Sequence, residues 1–278
     1  MKIEDCIVRV ERRSGGGCLD LAIVFAQQFA GSIVRLLITF AVPSCVLTWW
    51  VSEGRTDLLV IAIPIFAFFA SFMSATLIAT VGPQVFGVPL STTAGITAVV
   101  QRLMSFLTLT SLVRLVQFVL MFCLVVPAIL PTAALGHLNE VLFLEKTPAK
   151  DAVRRLRNLI RGNGFGRNLS RLIGLMTFWA ISSTGLFVLI DQLVSWVFNI
   201  QIFKGTMVDG EDWIEAFTAS VVDDRAVILL LQVAVWIPFP VVRLAWFFCY
   251  LDQRIRNECW DLDLQFRAEA NRLEEQIA

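Results

Sequence analysis

Leu103–Glu145 reads LMSFLTLTSLVRLVQFVLMFCLVVPAILPTAALGHLNEVLFLE. It is apolar almost throughout, broken near its middle by Pro127 and Pro131. A proline in a helix interior removes a backbone hydrogen bond and bends the chain. Folding the run about Pro127 makes two antiparallel helices. Arg114 and Glu140 then stand thirteen residues either side of the bend, and Gln117 and His137 ten. Arg114 and Gln117 share one helix face at a spacing of three, as do His137 and Glu140. The expectation is a membrane hairpin with a polar cluster of Arg114, Gln117, His137 and Glu140 at two matched depths. Charge within hydrocarbon is costly and is normally paired or turned inward.

The rest of the chain places this hairpin in a lipid setting. Of 278 residues, 57% are hydrophobic and 17% charged, less charge than a soluble domain of this size carries. Leu36–Ser52, Leu58–Val81, Leu172–Ile200 and Ala226–Leu251 each come near or exceed the roughly 20 apolar residues that cross a bilayer. The runs are continuous rather than alternating, which favours helices over a barrel. The expected fold is therefore all-α: a polytopic helical bundle of about six transmembrane helices with amphipathic interfacial helices. A single membrane domain is expected over 1–278. It comprises a cytoplasmic N-terminal segment and interfacial helix (1–33), the transmembrane bundle (34–251) and a cytoplasmic tail (252–278). Gly15–Gly17 read as a flexible joint, Gly82–Thr93 as a return loop and Gln201–Asp224 as an acidic outer segment with a short helix capped by Asp209. The N-terminus lacks the apolar core of a removable signal peptide.

Lys146–Arg171 holds eight basic residues, and basic loops stay in the cytoplasm. Both termini then fall on that side, provided the spans before Lys146 are even in number; the hairpin makes them so. Within this segment Thr147 can cap a helix. Ala152, Val153, Leu156, Leu159 and Ile160 form its apolar stripe, with basic residues opposite. Lys150, Arg154, Arg155, Arg157 and Arg161 are the candidate contacts for anionic lipid headgroups or a protein partner. In the tail, Asp252 and Arg256, and Arg254 and Glu258, sit four apart as helix ion pairs. Glu258, Asp261 and Asp263 also have the charge to fold back onto Arg154, Arg155 and Arg157.

The net charge of zero gives no bulk attraction to nucleic acid. One histidine and six scattered cysteines argue against a zinc site, and no cofactor or catalytic residue is expected. The residues point first to a non-enzymatic scaffold or partner subunit of a bacterial cytoplasmic membrane, in contact with lipids and a protein on its cytoplasmic face. The alternative is a transporter or lipid-handling protein that uses the intramembrane cluster.

Tyr250-Leu-Asp252-Gln-Arg254-Ile-Arg256-Asn-Glu258-Cys259-Trp-Asp261-Leu resembles a Y-x-D-x-R-x-R-x-E-G-x-D-L pattern. It is similar to bacterial multi-helix membrane proteins related to the membrane domain of glycerophosphoryl diester phosphodiesterases. Val141–Gly162 resembles the middle segment of that group. Cys259 stands where the pattern has glycine, which puts a tight turn there in doubt. The resemblance implies a membrane bundle without the separate catalytic barrel, so no catalytic residue carries over.

Overall fold

A continuous apolar segment in lipid must satisfy its own backbone, and the helix does so within one segment. The computed structural model describes residues 12–53, 58–85, 92–123, 125–161, 164–199, 202 and 224–258, with backbone alone for 121–123 and 125–128. Among these residues there is helix and no strand. The elements are α1 (Gly15–Gln28), α2 (Ala30–Val51), α3 (Leu58–Val85), α4 (Thr92–Gln101), α5 (Leu103–Cys123) and α6 (Val125–Leu135). They continue as α7 (Leu138–Phe143), α8 (Ala149–Leu159), α9 (Gly164–Phe198), α10 (Arg225–Trp236) and α11 (Phe239–Glu258). Five stretches are long and apolar enough to cross a membrane: Ala30–Val51, Leu58–Val85, Leu103–Leu120, Gly164–Phe198 and Arg225–Glu258, the last made of α10 and α11 together.

The expected count of about six spans is corrected to these five among the described residues. The chain does double back after α5, since Gln117 Nε2 donates to Thr132 Oγ1 at 2.6 Å. In one straight helix those residues would lie roughly 22 Å apart. α5 ends at Cys123 and α6 begins at Val125, so Pro127 sits in the first turn of α6. There its missing N–H has no intrahelical partner to lose. The second arm is too short for a crossing: α6 has 11 residues, and α7, after a turn at Gly136–His137, has 6.

Three smaller expectations are corrected. Gly15–Gly17 are the first turn of α1 rather than a joint, because Ser14 caps them by accepting from Gly17 N at 3.1 Å. Gly82 and Pro83 belong to the end of α3 rather than to a loop. Pro148 rather than Thr147 is the N-cap of α8, with no side-chain cap bond. The acidic segment with Asp209, the pattern position Cys259, and Asp261 and Asp263 lie outside the described residues.

The chain forms two compact units. In the second unit (33–73 and 176–240), Leu58 and Ala62 of α3, Phe187 of α9 and Val227, Ile228, Leu230 and Ala234 of α10 make an apolar core. Phe66, Trp179, Trp236 and Phe239 pack ring on ring beside it. Pro238 interrupts the helix between α10 and α11, and Trp179 Nε1 donates to the Val235 carbonyl at 3.1 Å beside that break.

The first unit (1–32, 74–175 and 241–278) carries most of the buried charge. α1 meets α11 through Phe25 and Phe248, whose ring centres lie 5.9 Å apart. α4 lies against α3 at Gly95, where a Cβ would come within 2.3 Å of Thr80 Cγ2, so only glycine permits this approach. α8 buries Ala152, Leu156 and Leu159, one stripe at helical spacing, and turns its basic face outward.

Candidate functional site

Two polar networks lie inside the first unit. The inner one is built on α7 and α11. Glu140, with no exposed surface, forms an ion pair with Arg243 Nη2 at 2.9 Å. His137 Nδ1 stands 3.7 Å from the same carboxylate. Arg243 Nε donates to Ser74 Oγ of α3, and Asn139 Nδ2 donates to that hydroxyl at 3.2 Å. The His137 ring stacks on Trp246 at 4.3 Å and 14°, while Trp246 Nε1 donates to the Gly136 carbonyl at 3.1 Å. A Cβ on Gly136 would come within 2.3 Å of the Thr132 carbonyl oxygen, so the α6–α7 turn needs glycine. The Glu140–Arg243 contact is an ion pair rather than a well-angled hydrogen bond, and both His137 ring nitrogens are buried without one.

This corrects the expected pairing across the hairpin. Each half of the cluster holds together: Arg114 Nη1 donates to Gln117 Oε1 at 3.1 Å, and His137 lies beside Glu140. The arginine on Glu140 is Arg243, and Gln117 bonds Thr132 instead of meeting His137. The short α6 and the turn at Gly136–His137 leave α7 packed on α5, with Phe143 and Phe106 ring centres 5.8 Å apart, while its Glu140 meets Arg243 of α11. A count of charge in the apolar runs carried the hint: two arginines, Arg114 and Arg243, compete for one glutamate.

The outer network joins α8, α9, α11, the α7–α8 connection and the chain just before α1. Arg171 pairs with Asp252 at 2.5 Å and donates to the Arg13 carbonyl at 2.9 Å. Asp252 also accepts from Arg13 N at 2.7 Å and from Arg256 Nε at 2.8 Å. Glu145 accepts from Arg155 Nε at 2.6 Å and from Tyr250 Oη at 2.5 Å. Arg155 Nη1 reaches Glu258 at 2.5 Å, and Arg254 Nε pairs with Glu258 at 3.0 Å. Both four-residue ion pairs of the tail motif are therefore present, and Glu258 does fold back onto Arg155. Glu145, Tyr250, Arg171 and Arg13 are partners that periodicity could not supply, since each lies far along the chain from the group it meets. Of the cations on α8 and just after it, Arg155 turns inward while Lys150, Arg154, Arg157 and Arg161 are exposed.

Glu145 has a consequence for acid stability. Burial works against its charge, but the hydrogen bonds from Arg155 and Tyr250, with Arg254 nearby, outweigh it and hold the carboxyl below the usual carboxylate range. A depressed carboxyl contributes stability that is fully present above its unfolded pKa and is lost as pH falls through its folded one. Glu145→Gln should unfold more readily at neutral pH, by roughly 1.5–3 kcal/mol. It should also lose part of the wild-type sensitivity below the ordinary glutamate range. Thermal unfolding between pH 3 and 7 measures both; parallel curves for the two proteins would remove this role.

Chemically, the inner network offers one imidazole, one carboxylate and one guanidinium, with the Ser74 hydroxyl and the Asn139 amide beside them. Among the described residues, no group of three or more His, Cys, Asp and Glu is placed to hold a metal ion. No protein-family model, curated protein or solved structure matches the chain, and nothing in those comparisons links it to the phosphodiesterase membrane domains. The fold and site together define an all-α helical bundle whose apolar helices suit a membrane and whose buried charges bind its own helices to one another.

Proposed function

We infer that the chain is a non-enzymatic scaffold or partner subunit, seated in a bacterial cytoplasmic membrane with both termini and α8 in the cytoplasm. One observation carries this reading. The buried charges answer one another within the chain, Glu140 with Arg243 and Arg171 with Asp252, while Lys150, Arg154, Arg157 and Arg161 are left on an exposed face. Charge spent internally rigidifies a frame. Charge presented outward recruits anionic headgroups or an acidic protein surface.

A photo-crosslinker at Asn158, on the exposed face of α8, tests the reading in native membranes. One protein should be captured in stoichiometric yield, and Arg154→Glu with Arg157→Glu should abolish the capture. The alternative, a transporter or lipid-handling protein, draws on the unspent hydrogen-bonding capacity of His137 and Glu140. Solute or lipid movement by the purified chain in liposomes, stopped by Glu140→Gln in a protein that still folds, would replace the scaffold reading with that one.

A further inference from the structure

Within the second unit, α2 and α10 leave a lengthwise groove of about 550 Å³. The two helices run antiparallel: Arg225 Nη2 donates to the Trp49 carbonyl at 2.7 Å, and further along Gln232 Nε2 donates to Ser44 Oγ at 2.7 Å. One wall is the α2 stripe Leu37, Ala41, Cys45 and Trp49, spaced by four residues. Leu229, Val233 and Ile237 line the other wall, and Arg225 heads that same stripe of α10. The hollow exists because Ala41 and Cys45 are small and stand between Leu37 and Trp49. Its back is closed by the buried Ser44–Gln232 bond and by Trp236, seated against Phe66. Its mouth is open, with Val42 and Val46 more than half exposed.

The groove is apolar along its length and cationic at one end. Twelve residues separate Leu37 from Trp49, about 18 Å of helix. Half of a roughly 30 Å hydrocarbon core is about 15 Å, so the groove is one leaflet deep. At its head the Arg225 guanidinium lies 4.4 Å from the Trp49 ring centre. Among the described residues only its Nη2 is spent, and Nε is buried without a hydrogen-bond partner there. The neighbouring Asp224 carboxylate is turned to the Ala226 N–H at 2.8 Å, where it caps α10. A slot one leaflet long with an aromatic-backed guanidinium at its end matches an amphiphile carrying one apolar chain-length and a phosphate. A second copy of this helix pair would bring another Arg225 and no acid on either stripe.

We propose that the groove seats one acyl chain of a membrane phospholipid whose phosphate rests on the Arg225 guanidinium. Guanidinium–phosphate hydrogen bonds are charge-assisted and are among the stronger kinds. The lipid would complete the wall that Ala41 and Cys45 leave open. The inference uses residues of the second unit alone and is independent of the scaffold reading.

Native mass spectrometry of the full chain, released from nanodiscs of phosphatidylethanolamine and phosphatidylglycerol, tests it. The wild type should retain one phospholipid per chain. Arg225→Gln should retain about tenfold less, the loss of one charge-assisted interaction, and Arg225→Lys should recover part of it. Ala41→Phe fills the groove away from the arginine, so it tests the site even if Arg225→Gln fails to fold; it should lose the lipid while eluting as a single species. Equal retention by wild type and Ala41→Phe overturns the proposal. So does an Ala41→Phe variant that turns a dimer into a monomer with lipid retention unchanged, which would make the occupant a second copy.

Discussion

Arg243→Ala should be among the most damaging single substitutions in the chain. It strips the arginine that pairs with Glu140, a carboxylate with no exposed surface, and frees Ser74 Oγ from one of its two donors. Breaking a buried pair from one side typically costs roughly 3–5 kcal/mol, because the charge left behind has neither water nor a counter-ion. Replacing both members with apolar residues of similar volume is often neutral or better. Arg243→Met with Glu140→Leu should therefore recover most of what Arg243→Ala loses. Equilibrium unfolding of the purified protein in mixed micelles measures the cycle. If the double variant is no more stable than the worse single one, the ion pair is not what makes either residue necessary.

Asp252→Ala should come close in size, and its effect should spread to the N-terminal segment. Asp252 is 2% exposed and binds Arg171, Arg256 and the Arg13 N–H. Without it, Arg171 is a buried guanidinium whose other contacts are backbone carbonyls, those of Arg13 and Cys249. A loss of roughly 3–5 kcal/mol is expected on the same ground. The segment before α1 would lose a tie as well, so trypsin should cut at Arg12 or Arg13 in Asp252→Ala under conditions where the wild type resists. Asp252→Asn keeps an acceptor for the Arg13 N–H without the charge and should show an intermediate loss. Unchanged cleavage in Asp252→Ala would mean that the N-terminal segment is held by something other than this carboxylate.

Much of the fold is legible from composition and run length. Uncharged runs such as Leu36–Ser52 have one solution in lipid, and the corresponding helices are present. The doubling-back after α5 is legible too, because two prolines in an apolar run announce a break. Its place is less so: a proline that starts a helix and one that ends a helix look alike in sequence, and Pro127 is the former. α8 is read in large part, since Ala152, Leu156 and Leu159 follow a local period and are buried, although Val153 of the expected stripe is exposed and Ile160 only half-buried. The site is only half legible, and the dividing line is sequence separation. Contacts at three or four residues, His137 with Glu140 or Arg254 with Glu258, follow from helix geometry. Arg243 on Glu140 and Arg171 on Asp252 depend on which helices become neighbours, and no local pattern encodes that.

α9 runs for 35 residues, about 52 Å of rod against a hydrocarbon slab of roughly 30 Å. Even at a steep tilt of about 40° it spans about 40 Å along the bilayer normal, so about two turns must emerge into headgroups or water. Its opening turns, where Arg167 is half-buried and Ser170 exposed, are the polar part equipped to do so. A thicker bilayer would draw the Arg167 guanidinium and the Ser170 hydroxyl toward lipid tails. Hydrophobic mismatch thus gives this protein a preferred membrane thickness, set by the length of a single rod.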